Sequence, residues 1–415
     1  MTQSVTHIGY NTVNNNSKVK MKVLHTSDWH IGQKFMGKSR FEEHQVFLTW
    51  LFETIKKEDI DVLIVAGDIF DTGNPPNYAL ELYYNFLKEL FVLQDLTVVI
   101  TAGNHDSVST LKASKQLLEF MNVHVITNGD ESEDELIPIY KNKQLLGVVC
   151  AVPFLRDSIV RAAISGQTIN EKESALNLGI KQHYMSIHQR AKELIGDKSL
   201  PIIATGHLTT VGSRTSQSER DIYIGGTLDI GSDFLGKYFD YVALGHLHIN
   251  QTVGCNHVRY SGSPIPLSFS ESTQTKKVNI IEFQNDSLDI QEIKIPLHTK
   301  LLVLKGDLES IKKELNNISD KTTWIEIHLK DDNPMYANQA IREYANELEL
   351  IVLAIKIHRS EKILQASELK VISLDELTPS DVFTRRIELE NLEDDSFKEE
   401  LSVNFKNILE KVQSL

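Results

Sequence analysis

Cysteine is almost absent from this 415-residue chain, with Cys150 and Cys255 its only two thiols. Such a pair builds neither a disulfide framework nor a thiolate zinc site, and a reducing cytoplasm suits it best. No apolar run is long enough to span a bilayer. The polar, Asn-rich stretch before Met21 lacks the apolar core of a signal peptide, so residues 1–20 read as a disordered extension. Positive charge is not in surplus either. A formal net charge of −14 argues against nonspecific attraction of the whole surface to nucleic acid, though a local cationic groove remains compatible with it. The chain is read as having no nucleotide-binding P-loop of the G-x-x-x-x-G-K-[ST] form, so any ATP dependence is expected to come from another chain.

What is present is a recurring pattern. Val62-Leu-Ile-Val-Ala-Gly67-Asp68, Val98-Val-Ile-Thr-Ala-Gly103-Asn104-His105-Asp106, Ile202-Ile-Ala-Thr-Gly206-His207 and Tyr241-Val-Ala-Leu-Gly245-His246-Leu-His248 are short apolar runs. Each ends in glycine and then a residue type that ligates metals. Val23-Leu-His-Thr-Ser-Asp28-Trp-His30 ends similarly without the glycine. Val/Ile-rich runs of this length fit strands buried on both faces. In such sheets ligands gather beyond the carboxyl ends of the strands. The ends should therefore deliver Asp28, His30, Asp68, Asn104, His207, His246 and His248 to one crevice.

Oxygen and imidazole donors without thiolate suit Mn²⁺, Fe²⁺ or Zn²⁺ rather than calcium. The donors are too many for one ion and enough for two that share a carboxylate. Such a pair clamps the attacking and leaving oxygens of a phosphoryl displacement. Asp68 is the expected bridge. His105 is better placed as a proton donor to the leaving oxygen, with Asp71 to orient it. His25, His44, His124, His183, His188, His257, His298, His328 and His358 lack the strand-end context and read as ordinary core or surface histidines.

Length implies two or three domains. Strands alternate with helical patterns over residues 21–281, an α/β arrangement. Asn77 to Phe91 carries a broad apolar stripe, more in keeping with core than with a second interface. Asp157 to Leu194 reads as a helical insertion. After Pro296 a βαβαβ unit without ligand-bearing strand ends follows, an accessory domain over residues 296–365. From Thr378, two helix starts (Thr378-Pro379 and Ser396-Phe-Lys-Glu399) head an amphipathic tail suited to docking a partner. Lys34, Lys38, Arg40, Arg214 and Arg220 are candidates to meet a phosphate backbone.

In motif order this chain resembles the calcineurin-like metallophosphoesterase superfamily. Four stretches carry the likeness further: His25-Thr-Ser-Asp-Trp-His-Ile-Gly32, Gly67-Asp-Ile-Phe-Asp-Thr-Gly73, Glu219-Arg-Asp-Ile-Tyr-Ile-Gly225 and Tyr260-Ser-Gly-Ser-Pro-Ile-Pro-Leu-Ser-Phe269. The last two narrow it to the SbcD group, nuclease subunits of bacterial SbcC–SbcD complexes. The resemblance implies a β-sandwich flanked by helices over residues 21–281, a small α+β capping domain and a helical tail over 378–415 that docks the coiled coil of an SbcC-type ATPase. It implies one ion on Asp28, His30, Asp68 and His248, and a second on Asp68, Asn104, His207 and His246. His105 would be the catalytic histidine and Mn²⁺ the preferred metal. It further implies DNA as substrate, roles in repair, recombination and replication, and homodimerisation through helices of the nuclease domain, with Asn77 to Phe91 as candidate.

Overall fold

The apolar runs are buried on both sides, and alternate residues in them meet different partners. In the strand Val62–Ala66, Val62, Ile64 and Ala66 pack in one cluster with Ile203, Tyr241 and Ala243 of a second sheet. Leu63 and Val65 join Phe47, Leu51 and Ile55 of the helix Phe41–Glu58 and Phe86 and Leu87 of the helix Asn77–Leu90. A strand's two faces are thus spoken for, which is why its sequence is continuously apolar. The second sheet repeats the scheme. Ala204, Val242 and Leu244 face Tyr184, Ile187 and Ala191 of the helix Ile169–Ile195. The result is an α/β fold of four layers, helices outside and two sheets within.

These relations come from a computed structural model, which describes residues 20–130, 134–160, 168–216, 218–219, 230–284, 287–331 and 334–358, with Phe383, Leu401, Asn404 and Phe405. The expected extension before Lys20, most of the tail, Arg220 and most of Glu219–Gly225 lie outside the described residues.

The first sheet has the strand order Ser287–Lys294, Lys277–Gln284, Lys20–Thr26, Val62–Ala66, Thr97–Thr101, Val123–Ile126. Its last four strands run parallel. The second has the order Gln251–Val253, Cys255–Tyr260, Tyr241–Gly245, Ile202–His207, Gln144–Cys150, Leu136–Lys141. Its ligand-bearing pair is parallel, with Gly245 opposite His207. All five ligand-bearing strands therefore end at one rim.

The stripe on Asn77–Leu90 is used by the chain's own core. Ala79, Leu82, Tyr83, Phe86, Leu87 and Leu90 are buried, while Phe91 and Val92 just beyond are exposed. The βαβαβ unit forms as its pattern implies. A three-stranded sheet, Leu301–Gly306, Trp324–Lys330, Ile351–His358, is joined by the helices Leu308–Asn316 and Pro334–Glu347. Leu301 and Trp324 pack on Phe35 and Phe269 of the first region. One compact unit reaches Leu329 and includes Met335–Lys356. A second comprises Lys330–Pro334 and Ile357–Leu415, within which the rings of Phe383 and Phe405 stack at 3.9 Å.

Two readings of the segment after His30 need correction. Gly32-Gln-Lys-Phe-Met-Gly-Lys-Ser39 does carry the G-x-x-x-x-G-K-S spacing of a P-loop. A phosphate cradle needs that run to lead straight into a helix N-terminus. Here Lys34–Phe35 pairs antiparallel with Lys38–Ser39 in a two-residue hairpin, and Met36 and Gly37 both take positive φ (47° and 83°), as a type I′ turn requires. The spacing matches and the conformation does not. Arg40, offered as a phosphate contact, is fully buried. Its guanidinium donates to Glu43 Oε1 (2.6 Å) and the Pro266 carbonyl (2.8 Å) and lies 5.2 and 5.3 Å from the ring centres of Phe35 and Trp324. It braces the accessory sheet's contact, and buried there it is not presented to DNA.

Candidate metal centre

The strand ends are held in conformations that side-chain-bearing residues rarely adopt. Asp28, His30, Asp68 and His246 all have positive φ (53°, 47°, 51° and 92°). Such strain persists only where the surroundings over-determine it, and it concentrates at functional sites. Core packing supplies the constraint at the first strand. Trp29, between two candidate ligands, is fully buried, donates to Thr26 Oγ1 at 3.0 Å and sets its ring edge-on to Phe47 and Phe86. With Trp29 pinned inward, Asp28 and His30 turn to the rim.

Glycine is required at two of the ends because the ligands crowd the backbone. A Cβ on Gly103 would collide with the Asp68 carboxylate, and one on Gly67 (φ 89°) would enter the His207 ring.

The seven predicted donors and His105 come together. Donor atoms of Asp28, His30 and His248 lie within 4.8 Å of one another, as do those of Asp28, Asp68 and His207 and those of His30, Asp68 and His105. Asp68 Oδ2 is 3.3 Å from His207 Nε2 and 3.6 Å from His30 Nε2, between side chains of opposite sheets. Its Oδ1 accepts from the His105 amide at 2.9 Å. Asn104 Oδ1 is 3.0 Å from His207 Nε2, and the His246 ring lies 5.4 Å from that of His207. The two sheets are tied directly at this rim. Asp28 Oδ1 accepts from the His246 amide (2.8 Å), and His207 Nδ1 donates to the Ala66 carbonyl (3.1 Å).

Asp71 acts by a route the sequence did not suggest. His105 Nδ1 donates to its backbone carbonyl at 2.8 Å, while its carboxylate lies 3.3 Å from His30 Nδ1. Asp106, unassigned from sequence, accepts from the amides of Ile69 (3.1 Å), Phe70 (3.0 Å) and Gly103 (2.9 Å), clamping the Asp68 and Asn104 loops together. Burial, then the nearby Asp68 charge, pushes its pKa up to about 6 against those three amides. Its signal was visible in Gly-Asn-His-Asp, since a short carboxylate after a glycine turn is suited to capping backbone amides.

Residue ionisation shows what such a site accepts. Burial would lower the His207 pKa, but the Asp68 charge and contact outweigh it and raise the group to about 9. Both His207 nitrogens then donate, to Ala66 and toward Asn104 and Asp68. Burial would raise the Asp68 carboxyl, yet His207 holds it well below the usual range. A positive charge is thus accommodated among these oxygens, and a divalent cation at Nε2 would compete with that proton. His246 is pushed down to about 3, by burial first and by His207 second, so it is neutral and able to ligate. His30 has both ring nitrogens buried without a hydrogen bond of good geometry among the described residues. Buried polar atoms left so are expensive unless something else satisfies them. The donor set fits divalent metal ions.

Residues 21–250 match the family model described as Calcineurin-like phosphoesterase, and residues 298–391 match that described as Type 5 capsule protein repressor C-terminal domain. The first covers more than half of the chain, and with the buried Asp/His cluster it defines a metal-dependent phosphoesterase. The chain is 40% identical over 386 residues to the SbcD subunit of the nuclease SbcCD from Escherichia coli (strain K12), covering 90% of this chain and 94% of that one. It is 31% identical over 318 residues to the protein of the same name from Bacillus subtilis (strain 168), covering 75% of this chain and 79% of the other. The chain belongs to the SbcD family.

Proposed function

We propose that this chain is a Mn²⁺-dependent DNA nuclease, acting as a double-strand 3′–5′ exonuclease and as an endonuclease on single strands and hairpins, in repair, recombination and replication. The observation that supports it most is Asp68 Oδ2 set between His30 and His207, which arrive from opposite sheets. Asp28, His30, Asp68 and His248 would hold one ion, and Asp68, Asn104, His207 and His246 the other. Bound there, the ions would supply positive charge to offset that of the oxygens entering and leaving phosphorus in an in-line displacement.

The chain's own contribution centres on His105. With Nδ1–H fixed on the Asp71 carbonyl, Nε2 is the atom presented to substrate. Protonated at both nitrogens, it hands the Nε2 proton to the leaving oxygen as the phosphorus–oxygen bond breaks and is left as the neutral Nδ1–H imidazole. Asp106 keeps His105 and Asp68 in register through the backbone. Lys34, Lys38 and Arg214 are exposed and in this reading would meet the DNA backbone. Residues 296–365 form a cap over DNA access in this reading, and residues 378–415 dock an SbcC-type ATPase. Two copies pair through nuclease-domain helices, with Asn77–Leu90 and the exposed Phe91 as candidate contacts, giving a heterotetramer in the cytoplasm.

Plasmid and oligonucleotide cleavage, run beside a generic phosphodiester dye with and without Mn²⁺, tests the substrate class. Mn²⁺-dependent DNA cleavage is expected. Dye hydrolysis without DNA cleavage, even with the ATPase added, would assign the site to small nucleotides or phosphoproteins instead. Removal of residues 378–415 should spare intrinsic cleavage and abolish co-purification with the ATPase; a retained complex overturns the docking assignment.

A further inference from the structure

His248 is backed by a polar relay, half-buried at Ser218 and buried at Glu271, that no strand-end motif contains. Its Nδ1 lies 2.6 Å from Ser218 Oγ, and that hydroxyl lies 2.5 Å from Glu271 Oε1. The other Glu271 oxygen accepts from Lys276 Nζ at 2.5 Å and from the Leu267 amide at 3.2 Å. Lys276 also donates to the His248 carbonyl (3.0 Å) and Ser263 Oγ (2.9 Å), and Glu219 Oε1 accepts from the His248 amide (2.8 Å). Glu271 is fully buried and Lys276 nearly so.

Hydrogen-bond accounting fixes the direction of the relay. A carboxylate paired with an ammonium can only accept. Ser218 must then spend its one proton on Glu271, and can only accept from His248. The imidazole therefore carries its proton on Nδ1 and keeps the lone pair on Nε2. A histidine that binds a metal through one nitrogen is commonly oriented by a carboxylate or hydroxyl partner at the other. Ser216 Oγ, 2.6 Å from Ser218 Oγ, can donate to it without disturbing this assignment.

We propose that Ser218 and Glu271 are positioning residues, which lock the tautomer and rotamer of His248 so that its Nε2 is presented to a divalent cation, with Lys276 holding Glu271 in its acceptor-only state. The inference rests on His248 being a metal ligand. It adds that one of the two ion sites depends on the side chains of Ser218 and of Glu271 in the turn after Phe269. The stretch Tyr260–Phe269 leads directly into Glu271, so this relay gives that motif a task.

Mn²⁺ binding to the full-length protein tests it, by calorimetric titration with manganese chloride and by the electron paramagnetic resonance of the free ion. Wild type should bind two ions and His248→Ala should weaken one. Ser218→Ala should weaken the same ion about tenfold or more, leave the other unchanged, and be rescued by Ser218→Thr. Glu271→Gln should weaken that ion too, and Ser218→Ala/Glu271→Gln should lose no more than the worse single variant. Should Glu271→Gln fail to fold, Ser218→Ala and its rescue decide alone. If His248→Ala weakens an ion but Ser218→Ala binds both as wild type does, the relay is overturned and the metal assignment stands. If His248→Ala itself binds both ions normally, the ligand assignment has failed first.

Discussion

The two walls of the crevice reach the same rim by different means. On the first sheet, Asp28, His30 and Asp68 sit in left-handed backbone conformations, and Asp106 clamps the loops after Gly67 and Gly103 through amides. That wall is shaped by backbone and by one core tryptophan. On the second sheet, His248 depends on side chains from remote loops, Ser218, Glu219, Glu271 and Lys276. A backbone-built wall leaves a compact motif in the sequence; a side-chain-built wall scatters its parts over more than fifty residues. His25 joins the two. Rooted in the first sheet, it accepts at Nδ1 from the Tyr241 hydroxyl (2.9 Å) and donates from Nε2 to the Leu244 carbonyl (3.2 Å) of the second.

The largest expected effect lies on the first wall. His105→Leu should lower cleavage by about 10²–10⁴-fold, the usual contribution of general acid–base catalysis, while Mn²⁺ titration still finds two ions. Normal turnover would remove His105 from the chemistry. Trp29→Ala should destabilise the fold by about 3–5 kcal/mol, as large-to-small core changes at aromatics do. It should also weaken metal binding, because the turn that aims Asp28 and His30 loses its anchor. Unfolding in urea and Mn²⁺ titration measure the two together; a destabilised variant with unchanged affinity would show that the wall does not depend on its core.

The bridge between the walls responds to pH. Burial, the leading cause, lowers the His25 pKa from 6.5 to about 3 despite the bond to Leu244. The folded state therefore excludes a proton that the unfolded chain accepts below pH 6.5. Its stability contribution is complete above that pH and is lost as pH falls toward the folded value, about 2 kcal/mol of it between neutral pH and pH 5. His25→Phe should start less stable, with Tyr241 and Leu244 deprived of their imidazole partner, yet show a shallower fall over that range in urea melts. An unchanged slope would mean His25 is not the group titrating.

The smallest effect concerns the hairpin. Replacing exposed Lys34 and Lys38 by alanine should weaken DNA binding by a few-fold and reduce the salt slope by about two. Arg40→Met should lower the melting temperature with little change in either. An equal loss of DNA affinity from Arg40→Met would reverse the structural assignment of that arginine.

Much of the first wall was legible because strand, glycine and ligand are consecutive in the chain. Asp68 after Gly67 and Asn104 after Gly103 needed only the rule that ligands collect beyond strand ends. Arg40 defeats that kind of reading because its exposure depends on Glu43, Pro266 and Trp324, the last nearly three hundred residues away. The Gly32–Ser39 spacing is inert for a local reason, a turn at Met36-Gly37 that folds the run back on itself. Glu271 and Lys276 carried no signal of their own. Buried ion pairs are written as ordinary surface charges until the fold encloses them.

Anomalous scattering from crystals soaked in Mn²⁺ addresses the dinuclear reading most directly. Two peaks should flank the Asp68 carboxylate, one reached by Asp28, His30 and His248 and the other by Asn104, His207 and His246. A single peak, or peaks that Asp68 does not touch, would contradict it.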